Sequence, residues 1–152
     1  MSSNNQYDNS TLPISEASWD VVRKMKEHKL LSIGVGEGDS NNKDIYLLAV
    51  ALGLDRPTEK LTRSESYTRT SYFTPKDRSL ITSVLLGTAD EDSDISSYCK
   101  TKNAFDYCRQ FTDAGFQAID RFAAEANYDP DLMVRKMLDH VDSIYDDVIE
   151  EE

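Results

Sequence analysis

The chain has 152 residues, of which 39% are hydrophobic, and it carries a formal net charge of −11 with a pI near 4.6. That length suits one globular domain, and the acidic balance disfavours long-range attraction to nucleic acid or anionic membranes. No window approaches the roughly 18 apolar residues of a membrane span, and the N-terminus lacks the pattern of a secretory signal. Two cysteines do not indicate a disulfide framework, so the sequence predicts a cytoplasmic protein.

The N-terminal region divides into a tail and a first helix. Residues 1–12 lack periodicity, which predicts a disordered tail before a single helical domain at 13–149 and an acidic tail at 150–152. Ser15 is the expected N-cap of the first helix, because its hydroxyl can accept a hydrogen bond from the first turn. The apolar stripe of this helix comprises Trp19, Val21, Val22, Met25 and Leu30. Three glycines and two asparagines at 34–42 then predict a loop.

Two strongly apolar helices are predicted in the next part of the chain. Residues 45–52 are apolar on every side, so this helix must be buried on most faces, and Gly53 suits its C-terminal stop. Thr74 and Asp77 form a capping box that opens the second helix, which ends at Gly87. Its expected core residues are Leu80, Ile81, Val84, Leu85 and Leu86. We expect both helices to form the structural core.

The basic connector, residues 56–78, separates these two helices and contrasts with the acidic chain. From residue 55 to residue 78 there are six basic and four acidic residues, a net charge of +2. Residues 66–73 are rich in Tyr and Thr and predict a minor β segment. Basic side chains alternate with aromatic rings, which suits phosphate contacts and base stacking. The candidate binding residues are Arg63, Tyr67, Arg69, Tyr72, Lys76 and Arg78. The alternative is that these arginines pair with the protein's own acidic helices.

Two long amphipathic helices complete a predicted fold that is mainly α, a compact bundle of about five helices. The first spans about 102–127, and the second begins at Asp129 and Pro130. In the second, a 3-4-3-4 spacing predicts a helix-packing seam at Val134, Met137, Val141, Ile144 and Val148. From residue 129 onward nine acids face two bases, a net charge of −7. The candidate acidic partner surface consists of Asp139, Asp142, Asp146 and Asp147.

No motif for catalysis, metal or cofactor binding is complete. The glycine-rich stretch 34–39 lacks the Gly-Lys-Ser/Thr ending of a phosphate-binding loop, and Asp90, Asp92 and Asp94 lack the later ligands of a calcium loop. His28 and His140 have no second ligand at zinc spacing. Cys108 falls on an apolar helix face, where it is expected to act as a small hydrophobe. We therefore expect a non-enzymatic protein without metal or cofactor.

The stretch KDIYLLAVALGL at 43–54 combines a Lys-Asp start, an aliphatic helix with small residues and a terminal Leu-Gly. With the basic, aromatic segment and second apolar helix that follow, it resembles small accessory proteins of prokaryotic DNA-phosphorothioation (Dnd-type) and related antiviral defence systems. The resemblance covers about a third of the chain. It implies a small partner or regulator within a defence complex that contains larger ATPases or nucleases.

Three functional hypotheses follow. The first is a non-enzymatic accessory or interaction subunit of a prokaryotic complex, which binds a larger protein of the same system or forms a homodimer. The second is a module that contacts nucleic acid through the basic connector. The third is an acidic inhibitor that mimics the charge of DNA through its C-terminal acids. No membrane partner is expected.

Overall fold

The computed structural model describes residues 11–30, 39–57, 64–88 and 101–151. These residues form a mainly helical domain with one small antiparallel sheet of two strands, which confirms the predicted fold class. The elements in chain order are β1 (Thr11–Ser15), α1 (Glu16–Glu27), α2 (Asp39–Leu52), β2 (Ser64–Arg69), α3 (Pro75–Thr88), α4 (Thr101–Cys108), α5 (Thr112–Glu125) and α6 (Pro130–Glu151).

The predicted helix at 102–127 is divided in the structure. Residues Arg109–Phe111 form a 3₁₀ turn between α4 and α5, and a second 3₁₀ turn, Thr70–Tyr72, follows β2. The described residues therefore contain six α-helices, or five if the divided segment is counted once. After α5 the backbone at Asn127 and Tyr128 has positive φ angles of 52° and 59°, which turn the chain into α6.

The sheet changes the predicted N-terminal boundary. Residues 11 and 12, assigned to the tail by the sequence, belong to β1, which pairs with β2 from Thr11↔Arg69 to Ser15↔Ser64. Leu12 and Ile14 are buried, so this strand forms part of the core. The register shifts between Leu12 and Pro13, where the proline has no N–H to donate to the ladder. Residues 1–10 of the predicted tail lie outside the described residues.

The start of α1 is bonded to the start of α5. Ser15 is the N-cap of α1, as predicted, and its Oγ accepts a hydrogen bond from the Ser18 N–H at 3.2 Å. The hydroxyls of Ser15 and Ser18 both donate to Asp113 Oδ1, at 2.5 and 2.9 Å. One carboxylate therefore joins two helix N-termini, where negative charge is favourable.

The core is centred on the crossing of α2 and α5, which approach each other closely because of two glycines. A Cβ on Gly115 would lie 1.7 Å from the Ala49 carbonyl oxygen, and one on Gly53 would lie 1.9 Å from that of Phe111. Around this crossing pack the largest fully buried aromatic side chains, Tyr46, Phe105 and Phe116. The buried small residue Ala49 matters for the same reason, since larger side chains would hold the backbones apart.

Three further expectations differ from the structure. Helix α2 begins at Asp39, so residues 39–42 of the predicted loop are helical, while 34–38 lie outside the described residues. In α3, Ile81 and Leu85 are buried, but Leu80 and Leu86 are exposed because this helix packs on one face only. The acidic tail expected from residue 150 is an extension of α6 as far as Glu151.

Candidate interaction surface

The structure distributes the residues of the basic connector between the core and the surface. Arg69, Tyr72 and Lys76 are exposed, and Tyr67 is buried. Arg63 lies outside the described residues. Two candidate binding cations, Arg69 and Lys76, are therefore exposed to solvent. The two candidate aromatic rings do not form one exposed surface, because Tyr67 is buried.

Tyr67 is part of the aromatic core. Its ring makes edge-to-face contacts with Trp19 at 5.4 Å and with Phe116 at 5.8 Å between centroids. Burial raises the pKa of the Tyr67 hydroxyl above its ordinary value. Because the ring is enclosed by the protein, it is not available to stack on a base, and the stacking role predicted for it does not fit its position.

Arg78 fastens the turn after β2 to the start of α3. Its Nη2 donates to the Thr70 carbonyl oxygen at 2.5 Å and its Nε donates to the Phe73 carbonyl oxygen at 3.1 Å. The guanidinium lies 5.7 Å from the centroid of the Phe105 ring, a cation–π contact. A side chain held in this way has a structural role in the fold.

Lys43 and Asp77 link α2 to α3. The Lys43 ammonium donates to Asp77 Oδ2, which also accepts from the Thr74 N–H at 2.9 Å, and the Asp77 N–H donates to Thr74 Oγ1 at 3.1 Å. The predicted capping box is thus present. Burial alone would raise the pKa of the Asp77 carboxyl, but the hydrogen bonds from Lys43 and Thr74 outweigh it and hold that pKa below its usual value.

Helix α6 leaves the domain part-way along its length. At its start Asp129 Oδ1 caps it by accepting from the N–H groups of Asp131 and Leu132, and Met133 is fully buried. The His140 ring lies 5.4 Å from that of Phe122 in α5. From residue 138 to residue 147 all ten consecutive side chains are exposed. Apart from the contact of His140 with Phe122, the described side chains from residue 138 to residue 147 are therefore not buried against the described domain.

An apolar stripe begins in the first half of α6 and continues along the exposed half. Val134, Leu138, Val141 and Tyr145 are 45%, 58%, 55% and 64% exposed, and their 4-3-4 spacing places them along one side of the helix. We call these four residues the α6 stripe. The predicted seam has a different phase, since Met137 turns toward the domain and is half-buried. The side chain of Val148 is outside the described part of the structure.

The four nominated acidic residues all lie on the exposed half of α6. Asp139, Asp142, Asp146 and Asp147 are exposed to solvent, and Arg135 and Lys136 precede them in the first half. Charge is therefore unequal along the helix, with cations near the domain and acids beyond it. A surface that combines an apolar stripe with charge that changes sign along the helix can recognise a protein helix of complementary pattern.

The sequence candidates Cys108 and His28 both make contacts within the fold. Cys108 is buried, its Sγ lies 3.7 Å from the Ile81 carbonyl oxygen, and burial raises the pKa of its thiol to about 12. His28 stacks on Tyr128 at 4.5 Å between ring centroids. Within the described ranges no group of three His, Cys, Asp or Glu residues is placed to hold a metal ion. Nor does any helix there combine the length and hydrophobicity needed to cross a bilayer.

Comparisons of the chain with protein-family models, with curated proteins and with solved structures find no match.

Sequence reasoning predicted the start of α6 at Asp129 and Pro130 but missed its extension to Glu151 and the phase of its apolar stripe. Met133 lies one turn before Met137, and together these two residues mark the side of α6 that packs on the domain. A seam drawn from 3-4-3-4 spacing alone does not use Met133. Nothing in the sequence indicates where α6 leaves the domain, because this depends on contacts between residues that are distant in the sequence.

Proposed function

We propose that this protein is a non-enzymatic interaction subunit that binds a protein partner through the α6 stripe. The single observation that supports the proposal is the run of ten exposed side chains at 138–147, which includes three of the four stripe residues. Exposed apolar side chains in a continuous line mark interaction sites, and a helix that projects without packing is marginal in water. A partner that covers the stripe would bury these apolar side chains and would stabilise the projecting helix.

The setting proposed for this subunit is a prokaryotic complex, such as one of antiviral defence, and it comes from the resemblance of residues 43–54. In the structure these residues belong to α2 and the turn after it, and Ile45, Tyr46, Ala49 and Val50 are buried. They would therefore serve the fold of the subunit, and the contact with its partner would be made elsewhere.

The acidic DNA-mimic hypothesis explains the surface less completely. The four acids could repel DNA and attract a basic protein, but a mimic based on charge does not require an apolar stripe beside them. Three large apolar side chains that are more than half exposed, Leu138, Val141 and Tyr145, are more typical of a protein interface that becomes buried.

Contact with nucleic acid is a second candidate, favoured by the exposure of Arg69 and Lys76. If it is correct, binding should weaken steeply with salt, and Arg69→Glu with Lys76→Glu should abolish it, whereas Arg121→Glu on α5 should have little effect. Absence of binding at low salt would exclude this function. It would leave the interaction proposal intact, since that proposal depends on α6.

Photo-crosslinking in cells tests the main proposal. A photoreactive amino acid at Val141 should form adducts with a protein, whereas the same group at Gln117, an exposed position on α5, should not. The substitution Leu138→Glu should remove the adducts, because it places a charge in the centre of the stripe. Equal labelling from positions 141 and 117, or no protein adduct either in cells or with the purified chain at millimolar concentration, would contradict the proposal.

A further inference from the structure

We infer that the α6 stripe is covered by α6 of a second copy of this chain, in an antiparallel pair about a two-fold axis. This inference rests on the proposed function, since it names the occupant of the same surface. The 4-3-4 spacing of the stripe is that of a coiled-coil seam, which requires a second helix with matching spacing. A second copy supplies one with the same four residues, and a two-fold axis makes the contact self-complementary.

The register follows from the stripe itself. When Leu138 of one copy packs against Val141 of the other, Val134 packs against Tyr145 at both ends of the seam. Large side chains thus meet smaller ones in every layer, which allows even packing. The seam spans residues 134–145, about 16 Å of helix at 1.5 Å per residue.

Charge at one edge of the stripe selects this register. Arg135 and Asp142 are both exposed and are seven residues apart, so they lie on the same edge. In an antiparallel pair each edge meets the same edge of the other helix. Arg135 of one copy then falls within about 3 Å, measured along the axis, of Asp142 in the other. The two-fold axis repeats this ion pair, so the interface contains two of them.

The other edge of the stripe extends the apolar contact. Met137 and Ile144 are also seven residues apart, and Ile144 is 50% exposed. In the same register Met137 of one copy meets Ile144 of the other. One edge is therefore charged and self-complementary, while the opposite edge, which faces the domain, is apolar.

A parallel pair does not fit the charges. Beyond Lys136 the described part of α6 has no Lys or Arg, whereas Asp139, Asp142, Asp146 and Asp147 are all exposed. A parallel arrangement would place the acidic halves of the two helices side by side, and like charges at that distance repel. An antiparallel arrangement instead places each acidic half beside the half that carries Arg135 and Lys136.

The short seam predicts a weak dimer. Four stripe residues per copy bury much less than the roughly 1,600 Å² of a standard protein interface. We therefore expect a monomer at micromolar concentration and a dimer as the concentration approaches millimolar. Sedimentation equilibrium on the full-length chain over this range measures the association, and Val141→Glu should abolish it without changing the urea midpoint of unfolding.

A charge-reversal pair tests the register. Arg135→Glu alone and Asp142→Arg alone should each weaken self-association about tenfold, because two attractive pairs become two repulsive ones. An equimolar mixture of the two variants should recover the wild-type affinity. In the mixed dimer the introduced glutamate of one variant faces the introduced arginine of the other, and the native pair remains at the second site. Effects of Arg135→Glu within its own helix cannot be rescued by mixing, so the recovery is specific to the interface.

Two control variants carry the same charge changes away from the seam. Arg121→Glu on α5 and Asp106→Arg on α4, both at exposed positions, should leave the dissociation constant unchanged within about twofold, the scale of exposed charge effects, with no gain on mixing. A wild-type chain that remains monomeric at millimolar concentration, or charge-reversed variants that gain nothing when mixed, would overturn the inference.

Failure of this inference can be distinguished from failure of the proposed function. If position 141 crosslinks to a different protein and the purified chain stays monomeric, the stripe has a foreign partner and the inference alone is wrong. If position 141 forms no protein adduct, in cells or with the purified chain at millimolar concentration, and the chain stays monomeric, both are wrong. An adduct with the mass of two chains, together with rescue on mixing, supports both.

Discussion

At the scale of single residues, the fold depends on a few positions where a small change in shape or charge has a large effect. Gly115 allows the α5 backbone to touch that of α2, and Asp113 joins two helix N-termini. Asp77 closes a capping box and holds the Lys43 ammonium at the same time. Gly115 acts through the absence of a side chain, whereas Asp113 and Asp77 each accept two hydrogen bonds through one carboxylate.

Gly115→Ala should destabilise the protein by about 3 kcal/mol or more, because the new Cβ would lie 1.7 Å from the Ala49 carbonyl oxygen and the two backbones must separate. Gly87→Ala is the matched control, since a Cβ there meets nothing within 4 Å. In α3 it should be neutral or should stabilise by up to about 1 kcal/mol. Urea unfolding of both variants measures the difference, and equal effects would contradict the close approach.

Asp77 should make stability depend on acid pH. Its pKa is lower in the folded state than in the unfolded chain, so its contribution is present above about pH 4, the unfolded value, and is lost as the pH falls through the folded pKa. The free energy of unfolding of Asp77→Asn should therefore fall less between pH 4 and more acidic conditions than that of the wild type. Asp139→Asn, at an exposed site, is the control and should retain the wild-type pH profile.

At the scale of the helices and strands, sequence patterns predicted the secondary-structure elements more accurately than they predicted the contacts between those elements. The caps at Ser15 and Thr74, the stop at Gly53 and the start at Asp129 are confirmed, because each depends on local hydrogen bonding. Strand β1 was missed because it contains a proline and has few residues, and its partner β2 is distant in sequence. The 3₁₀ turn at 109–111 was missed because its residues continue the helical pattern.

The candidate surface was predictable in composition but not in geometry. The acids of α6 and its apolar repeat are visible in the sequence, whereas the exposure of Leu138 and Val141 depends on where the domain ends. In the basic connector the stacking role predicted for Tyr67 does not fit its buried position, and Arg78 makes contacts within the fold, because a ring or guanidinium of this kind also serves in such contacts. Polar and aromatic composition does not distinguish a binding site from such contacts.

Helix α6 should contribute to stability only through its first half. Truncation after His140 should change the free energy of unfolding by less than about 1 kcal/mol at micromolar concentration, because the side chains described beyond it, at 141–147, are exposed. Met133→Ala in the full chain should cost about 2–5 kcal/mol, since Met133 is fully buried. A truncated chain that unfolds much more easily than the wild type would mean that the second half packs on the domain.

At the scale of the whole molecule, one hydrophobic core connects every helix and both strands of the described structure. Its buried members extend from Leu12 in β1 to Met133 in α6, and Cys108 lies within it. A core that is shared in this way should open cooperatively, so that no part of it becomes accessible long before the rest.

Thiol labelling of Cys108 should report this cooperative opening. The thiol is fully buried and its pKa is raised to about 12, so in the folded state it is both inaccessible and protonated near neutral pH. In the unfolded chain its pKa returns to about 8.5 and the thiol reacts readily. In a Cys99→Ser background, the labelling rate should rise with urea at the slope of global unfolding measured by circular dichroism.

An exposed thiol provides the reference for this labelling experiment. A Ser83→Cys variant that also carries Cys99→Ser and Cys108→Ala should react at the same rate at all urea concentrations below the transition, because position 83 is already exposed in the folded state. Labelling of Cys108 that is fast and independent of urea would mean that the region around α4 opens separately. The domain would then consist of more than one cooperative unit, and the shared core would not couple its helices.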